Sequence, residues 1–514
     1  MAEASAPPPA IPDRQDSKEP SANGSGAAKP HESVFLGEDI EIFPDRRLPQ
    51  YDSGEVKAYA ALSRSNPDAK LFALVCVPHL IPRVQSISPL AAIVHPSFVR
   101  LNKHGIVFWP LDKAQRYVLI YERTFSEPLL QVGKPMALGM RQEDLLEHLI
   151  RPMIGLFIEF HNKDFVHGGI RASNLFRGSA DAADRIVLGE CLSGPVSFAQ
   201  PALYVTIENA MAPPYARGMG TQADDLYALG VCLAVLLRQD DPLEGLTDRE
   251  ILERKIEEGS YAALTGRDRF TGSILELLRG LLYDDAYQRW TLADVQAWLD
   301  GQRLSPKQSV KRLKAARQIA FNGEKYWRPQ ILALDLEKNL SELSGLIDSD
   351  ELNQWIVRSL DDKVMSKRLE KVFNIMQDLN RGVGYGERVA CMVSIVLDPD
   401  APIRYKGCAV HPEGMGNILA YAIARKEDIA PFAEIIEYNF VPFWLDAQDH
   451  AASVDFGALV TRFDGCRAFL RQKNVGYGIE RCLYLLNPDV HCLSDKLKSF
   501  LVRTPEDLLF AFEK

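Results

Sequence analysis

The chain has 514 residues, 46% hydrophobic and 25% charged. At roughly 100–200 residues per domain this allows two to four domains, each large enough for a core of its own. Its 59 Lys+Arg against 69 Asp+Glu leave a formal charge of −10, which disfavours a general polyanion binder because little offsets phosphate repulsion over most of the surface; nucleic acid is therefore not the expected partner. The longest apolar windows, such as Leu71–Ile81, are too short for a bilayer core of about 30 Å, so no membrane insertion is expected. Met1–Pro30 lacks the apolar stretch of a secretory signal. Eight scattered cysteines without a Cys-x-x-Cys pair suit reduced thiols and a cytoplasmic location.

In chain order, residues 1–33 are mostly Ala, Pro, Ser and Gly and read as a disordered tail, since they cannot bury enough surface to offset the entropy of ordering. Short β-rich runs follow at Asp39–Phe43, Glu55–Leu62, Leu71–Val77, Gly105–Trp109 and Tyr117–Tyr121, each bounded by Pro, Gly, Asn or Asp, and predict a small antiparallel sheet. After Arg141 the apolar period turns helical. Helices are expected over Asp144–His161, Asp224–Arg238, Asp248–Glu258, Ser273–Leu282 and Leu292–Asp300. Residues 301–306 read as a linker. Beyond them residues 307–514, opening with the basic stretch Lys307–Arg317, predict an almost wholly α-helical domain. An internal echo pairs Val383-Gly-Tyr-Gly-Glu-Arg388 with Val475-Gly-Tyr-Gly-Ile-Glu-Arg481, and Leu397-Asp-Pro-Asp400 with Leu486-Asn-Pro-Asp489, which suggests two related units, although two copies are few for a repeat.

Phe165-Val-His-Gly-Gly-Ile-Arg-Ala-Ser-Asn-Leu-Phe176 resembles the protein-kinase catalytic loop H-R-D-x-K-x-x-N. It keeps His167 and Asn174, puts Arg171 at the lysine position, and carries Gly168 and Gly169 where the family has Arg and Asp. Further landmarks follow in order. Glu190-Cys191-Leu192 stands at Asp-Phe-Gly and Ala212-Pro-Pro214 at Ala-Pro-Glu. Ala223-Asp-Asp-Leu-Tyr-Ala-Leu-Gly230 resembles the start of the central helix, and Arg289-Trp290-Thr291 the Arg-x-Thr that closes the helical lobe. Upstream, Gly54 is the single glycine of the phosphate-covering turn, and Phe72-Ala-Leu-Val75 matches Val-Ala-Ile-Lys, putting Val75 at the ATP-lysine position. Arg83–Ile93, where the partner glutamate is expected, has no acid. The resemblance covers about residues 34–300 and implies an α+β bilobal kinase-like fold, a small β-rich N-lobe and a helical C-lobe, followed by the helical domain.

Phosphoryl transfer is mostly positioning and charge neutralisation. With lysine, glutamate, catalytic Asp and most glycines missing together, the resemblance implies a pseudokinase: no catalytic residue, and a signalling scaffold or allosteric regulator acting through protein partners, whose lobes form a two-state element. The alternative is an active atypical kinase, or a phosphoryl or nucleotidyl transferase, taking ATP with Mg²⁺ through Asn174 and Glu190 with Arg171 and Gly54. Against it stands the reading in which Asn174 braces its loop and Glu190 is solvated. A third reading makes the helical half the enzyme, with Val383–Gly386 and Val475–Gly478 as turns at its site; no paired acid and base stand beside both.

His167, Asp225 and Arg289 read as structural, with Arg289 needing a new acceptor because Pro214 removes the family's glutamate. Lys57 is expected to point away from the cleft because strand side chains alternate, and Lys70 to lie exposed at the strand mouth. Cys408, His411, His491 and Cys492 match no zinc spacing, so no metal is assigned to them. The run Lys307, Lys311, Arg312, Lys314 and Arg317 reads as a solvated face, and Trp327, Trp355 and Trp444 as core anchors.

Overall fold

The computed structural model describes residues 32–131, 140–179, 182–266, 270, 272–304, 313–378, 381–448, 457–497 and 499–513. The tail expected over 1–33 therefore lies outside the described residues except for its last two, as do residues 305–312 of the linker and basic run.

The fold is α+β and bilobal, with a mainly helical part after it. Six antiparallel strands build the N-lobe: β1 (Val34–Leu36), β2 (Ile40–Arg47), β3 (Lys57–Ser63), β4 (Leu71–Val75), β5 (Leu101–Trp109) and β6 (Ala114–Glu122), in the order β1-β2-β3-β4-β6-β5. The sheet curls until its two edges meet, so that a Cβ on Gly105 would stand 2.7 Å from the Leu36 side chain. Curling hides the edge backbone groups of a six-stranded sheet and gives it an inside. Strand alternation then sorts the side chains. Leu71, Ala73 and Val75 join Ile40, Ile42, Tyr59, Trp109, Val118 and Ile120 within the curl, whereas Phe72, Leu74 and Cys76 join the large core shared with the rest of the molecule.

The chain crosses to the second lobe through β7 (Phe125–Pro128), which pairs with β8 (Leu175–Gly178), itself paired with β9 (Ile186–Leu188). The helix expected over Asp144–His161 is three pieces: Gln142–Leu145, a wide turn Leu146–Ile150, and Arg151–His161. Pro152 explains the break, for it has no N–H to donate back and its ring crowds the preceding turn. Helix Gln222–Arg238 is buried without interruption from Asp225 to Leu236, as an axis through a core must be. Its start is fixed by a reciprocal Thr221–Asp224 capping box and its end by Gln239 at φ 59°. Helices Asp248–Glu258 and Leu292–Leu299 are capped in the same way by Thr247 with Glu250 and by Thr291 with Asp294.

From residue 313 onward helices dominate, but two hairpins interrupt the expected helical run: Ile319–Phe321 with Glu324–Tyr326, and Ile403–Tyr405 with Cys408–Val410. Their two-residue turns, Asn322-Gly323 and Lys406-Gly407, hold positive φ at both positions, the geometry whose twist matches paired strands. The echoed glycines do not share a local role, since Gly384 matches Gly476 and Gly386 matches Gly478 in the echo, yet the glycines that open helices are Gly384 and Gly478. Helices Tyr385–Leu397 and Ile479–Leu486 each start directly after a positive-φ glycine, Gly384 and Gly478, and end at Asp398 and Asn487. Of the tryptophans, Trp355 and Trp444 are anchored through indole N–H bonds to the carbonyls of Arg317 and Ala401, each at 2.7 Å. Trp327 is not a core anchor: it is 40% exposed, with the Lys314 ammonium over its ring.

Gly280 closes the helical lobe against Trp290, since a Cβ there would stand 2.1 Å from the indole. Neither partner can yield, because the ring is 2% exposed and the glycine sits in helix Ser273–Leu281. Gly280→Ala is expected to destabilise the protein by about 3 kcal/mol in urea unfolding, at the upper end for overpacking; an unchanged midpoint would contradict this packing.

Candidate functional site

The loop Val166–Asn174 lies at the base of the cleft between the lobes. His167 and Gly168 donate their amides to the Asp225 carboxylate at 2.7 and 2.8 Å, and burial pushes that carboxyl up to about 7 against the pull of the two amides. The His167 ring is fixed at both nitrogens: Nδ1 accepts from the Gly169 amide at 3.1 Å, so Nε2 carries the proton and donates to Gly189 O at 3.1 Å. Burial lowers its pKa to about 3, keeping it neutral. The two glycines have steric causes. Gly168 sits at φ 66°, and a Cβ there would lie 2.4 Å from Val196 Cγ1; one on Gly169 would press on the His167 ring at 3.2 Å. Residues 196–197 thus occupy the space that a longer side chain at 168 needs.

Asn174 donates through Nδ2 to Gly169 O at 2.8 Å and to Glu190 O at 3.0 Å. Glu190 is not solvated. It is 5% exposed, and its carboxylate closes on its own turn, taking the amides of Leu192 and Ser193 at 2.9 and 3.0 Å and the Ser193 hydroxyl at 2.6 Å. Arg171, also buried, donates to Gly169 O and Gln200 Oε1, both at 3.4 Å; burial lowers its pKa while the nearby Glu190 charge opposes that. Gly54 tops the turn Ser53–Val56 at φ 55° and rests on Phe198 and Ala199. The cavity bounded by Ser53, His167, Gly169, Arg171, Glu190 and Phe198 measures about 10 Å³, room for one water.

Above it, aromatic rings fill the slot where the chain crosses between lobes. Tyr51 lies 5.0 Å from Phe72, 5.6 Å from Phe125 and 5.7 Å from Phe176; Phe125 and Phe176 are 4.6 Å apart, and Phe72 stacks on Tyr121 at 5.6 Å. The Tyr51 hydroxyl donates to Ser126 O at 2.9 Å. Val75 requires a correction. It faces the interior of the curled sheet, so the β4 side chains on the cleft side are Phe72 and Leu74, and the expected match is displaced by one residue, which reverses every face. No ammonium comes from β4 in either register. Lys57 bonds Asp52 at 3.3 Å and is 44% exposed; Lys70 is exposed.

The cation that does enter the cleft, Arg83, has no sequence signal that sets it apart, since its acceptors are backbone carbonyls. Arg83, 7% exposed, donates to Val166 O at 2.8 Å, His167 O at 3.2 Å and Cys191 O at 3.4 Å, with its guanidinium 4.5 Å above the Phe165 ring. Lys255 was missed as well. Fully buried, it donates to the carbonyls of Ala202, Leu203 and Val205 at 2.8–2.9 Å. Three such bonds use all three protons of an ammonium, although burial drives its pKa down to about 7. Its only sequence signal is a lysine at an apolar position of a helix. Arg289 takes backbone acceptors, Tyr283 O and Ala223 O at 2.8 Å and Asp284 O at 3.3 Å. The acid whose titration its charge affects is Glu208, not a residue of Ala212–Pro214.

Cys408, His411, His491 and Cys492 are not gathered. His411 packs beside Glu208, and His491 lies beside Cys76. All eight cysteines are free thiols. Two larger cavities among the described residues lie away from the cleft, one of about 460 Å³ lined in part by His95, Glu147, His148 and Arg185, and one of about 370 Å³ beside Arg141, Asp144 and Arg177. No helix among the described residues is long and apolar enough to cross a membrane.

A triphosphate nucleotide with a divalent cation does not fit these residues. The cavity is far below the several hundred Å³ of a ligand site, both Glu190 oxygens accept hydrogen bonds from the protein itself, and no lysine stands among the described residues that line it. No family model matches the chain, and no curated protein matches it. Among solved structures the chain is similar to one described as the crystal structure of Rad53 1-466 in complex with AMP-PNP, with 16% sequence identity, 50% of this chain and 64% of that chain covered, and a TM-score of 0.38.

Neutral His167 generates a pH prediction. Its folded pKa of about 3 lies below the ordinary 6.5, so the unfolded chain binds its proton first; the stability held above pH 6.5 is lost as pH falls from there toward 3. Replacing it should remove that slope. Between pH 7 and 5 the wild type is expected to lose about 2 kcal/mol more than His167→Gln in urea unfolding; parallel losses would mean that His167 titrates normally.

Proposed function

We propose that this chain is a pseudokinase: a catalytically impaired kinase-like scaffold or allosteric regulator that acts through protein partners, with the cleft serving as a structural joint between the lobes. The observation that carries the reading is the filled slot, in which Tyr51, Phe72, Phe125 and Phe176 stand together and the Tyr51 hydroxyl takes the Ser126 carbonyl. Emptying such a site means exposing four rings, each 3–6% exposed, at about 25 cal/mol per Å² of apolar surface; a ligand must overcome that before it gains anything. Gly169 supports the same reading, because it has no side-chain carboxylate to orient an attacking hydroxyl.

The surface that an extended acceptor would need at the cleft mouth is also taken. Tyr421, from helix Met415–Arg425, stacks on Tyr215 at 3.7 Å and meets His79 of the N-lobe at 5.5 Å, while the His411 amide donates to Ala216 O at 3.0 Å. The helical part thus spans both lobes.

Titration of the purified chain with ATP, with and without Mg²⁺, is the test. A ligand bound by the folded form must raise the melting temperature once its concentration passes Kd. No movement is expected at millimolar nucleotide, and no label is expected to transfer from ATP to generic protein acceptors. Incorporation that disappears in an Asn174→Ala/Glu190→Ala double variant would establish the transferase reading instead.

A further inference from the structure

One short turn, Val84–Ser86, is gripped from two sides. On one side the Asp489 carboxylate accepts the Gln85 amide at 2.9 Å, while the Val84 amide donates to Pro82 O at 2.9 Å. Arg503 stands 4.0 Å from Asp489 with its guanidinium 5.4 Å above the Tyr117 ring of β6, and Ser499 O accepts the Gln115 amide at 3.1 Å. His491 and Leu501 close this seam against Cys76, Pro78 and Pro82, leaving only about 20 Å³. On the other side, one residue along, Arg83 donates its amide to Leu192 O at 2.9 Å and its guanidinium to the carbonyls of residues 166, 167 and 191.

We infer that Asp489 and Arg503 form a clasp through which the end of the helical part fixes Arg83, and with it the loop Val166–Gly168, from the far side of the N-lobe. The charges alternate along this line, Arg503, Asp489, Arg83, and the fields of both arginines act on the Asp489 carboxyl. Arg83 depends on that arrangement because it makes no ion pair among the described residues and its Nε has no partner. Its guanidinium meets three carbonyls and the Phe165 ring but no carboxylate among the described residues, so the turn that carries Arg83 sets where those contacts are made. Arg83 is thus the link through which the end of the helical part acts on the loop Val166–Gly168.

Amide hydrogen exchange on the full chain carrying Asp489→Ala or Arg503→Ala tests the clasp, with helix Gln222–Arg238 as internal reference. Losing a charge-assisted bond to the turn is expected to speed exchange about tenfold at the amides of residues 166–168 and 191–193, which Asp489 does not touch, and to leave amides 229–236 unchanged. Acceleration confined to Val84 and Gln85 would overturn the inference by showing a merely local contact. A uniform rise that includes the central helix in both variants would overturn it equally, since it would mark global loosening.

Discussion

A buried charge must be satisfied where it lies, and around the cleft of this protein the main chain supplies most of the partners. Asp225 and Glu190 are closed by amides; Arg83, Lys255 and Arg289 by carbonyls; Arg171 by one carbonyl and one side-chain amide. Each of these bonds ties a loop of the helical lobe to a particular place, so removing the charge would free a segment instead of opening a site. Around a phosphate-transfer centre the same residue types would be turned toward a ligand. Here these hydrogen bonds are made within the fold, and they tie the loops around the cleft to one another.

Much of this architecture was legible in the sequence. Strand alternation and turn residues gave most of the N-lobe strands, and the run from Asp248 to Glu258 shows its helix at the expected bounds because a capping box and an apolar period agree. Three-residue β1 was missed because it is too short for a period, and the hairpins after residue 313 because their Asn-Gly and Lys-Gly turns lay in a helix-rich context. In the cleft, the order of landmarks located the loop, but the register of β4 was off by one. A motif of four apolar residues carries no sign of which face is inward; only the pairing of β3 with β4 and β6 settles it.

What the sequence could not show is the direction of long side chains. Arg83 and Lys255 look like solvated residues on paper, yet both are buried. Their acceptors are backbone carbonyls, which have no residue identity to read. Tyr51, Phe72, Phe125 and Phe176 likewise come from four separate segments, and nothing in their spacing announces that they meet.

The Tyr51 phenol has a pharmacological consequence. Being tethered beside the Ser126 carbonyl, it is a built-in competitor whose effective concentration is set by a few residues of chain instead of by solution, in the millimolar range or above. Any small molecule aimed at this slot has its apparent affinity multiplied by the small fraction of molecules in which the ring is displaced, so screening hits would favour compounds that use the tyrosine as a wall over those that must expel it.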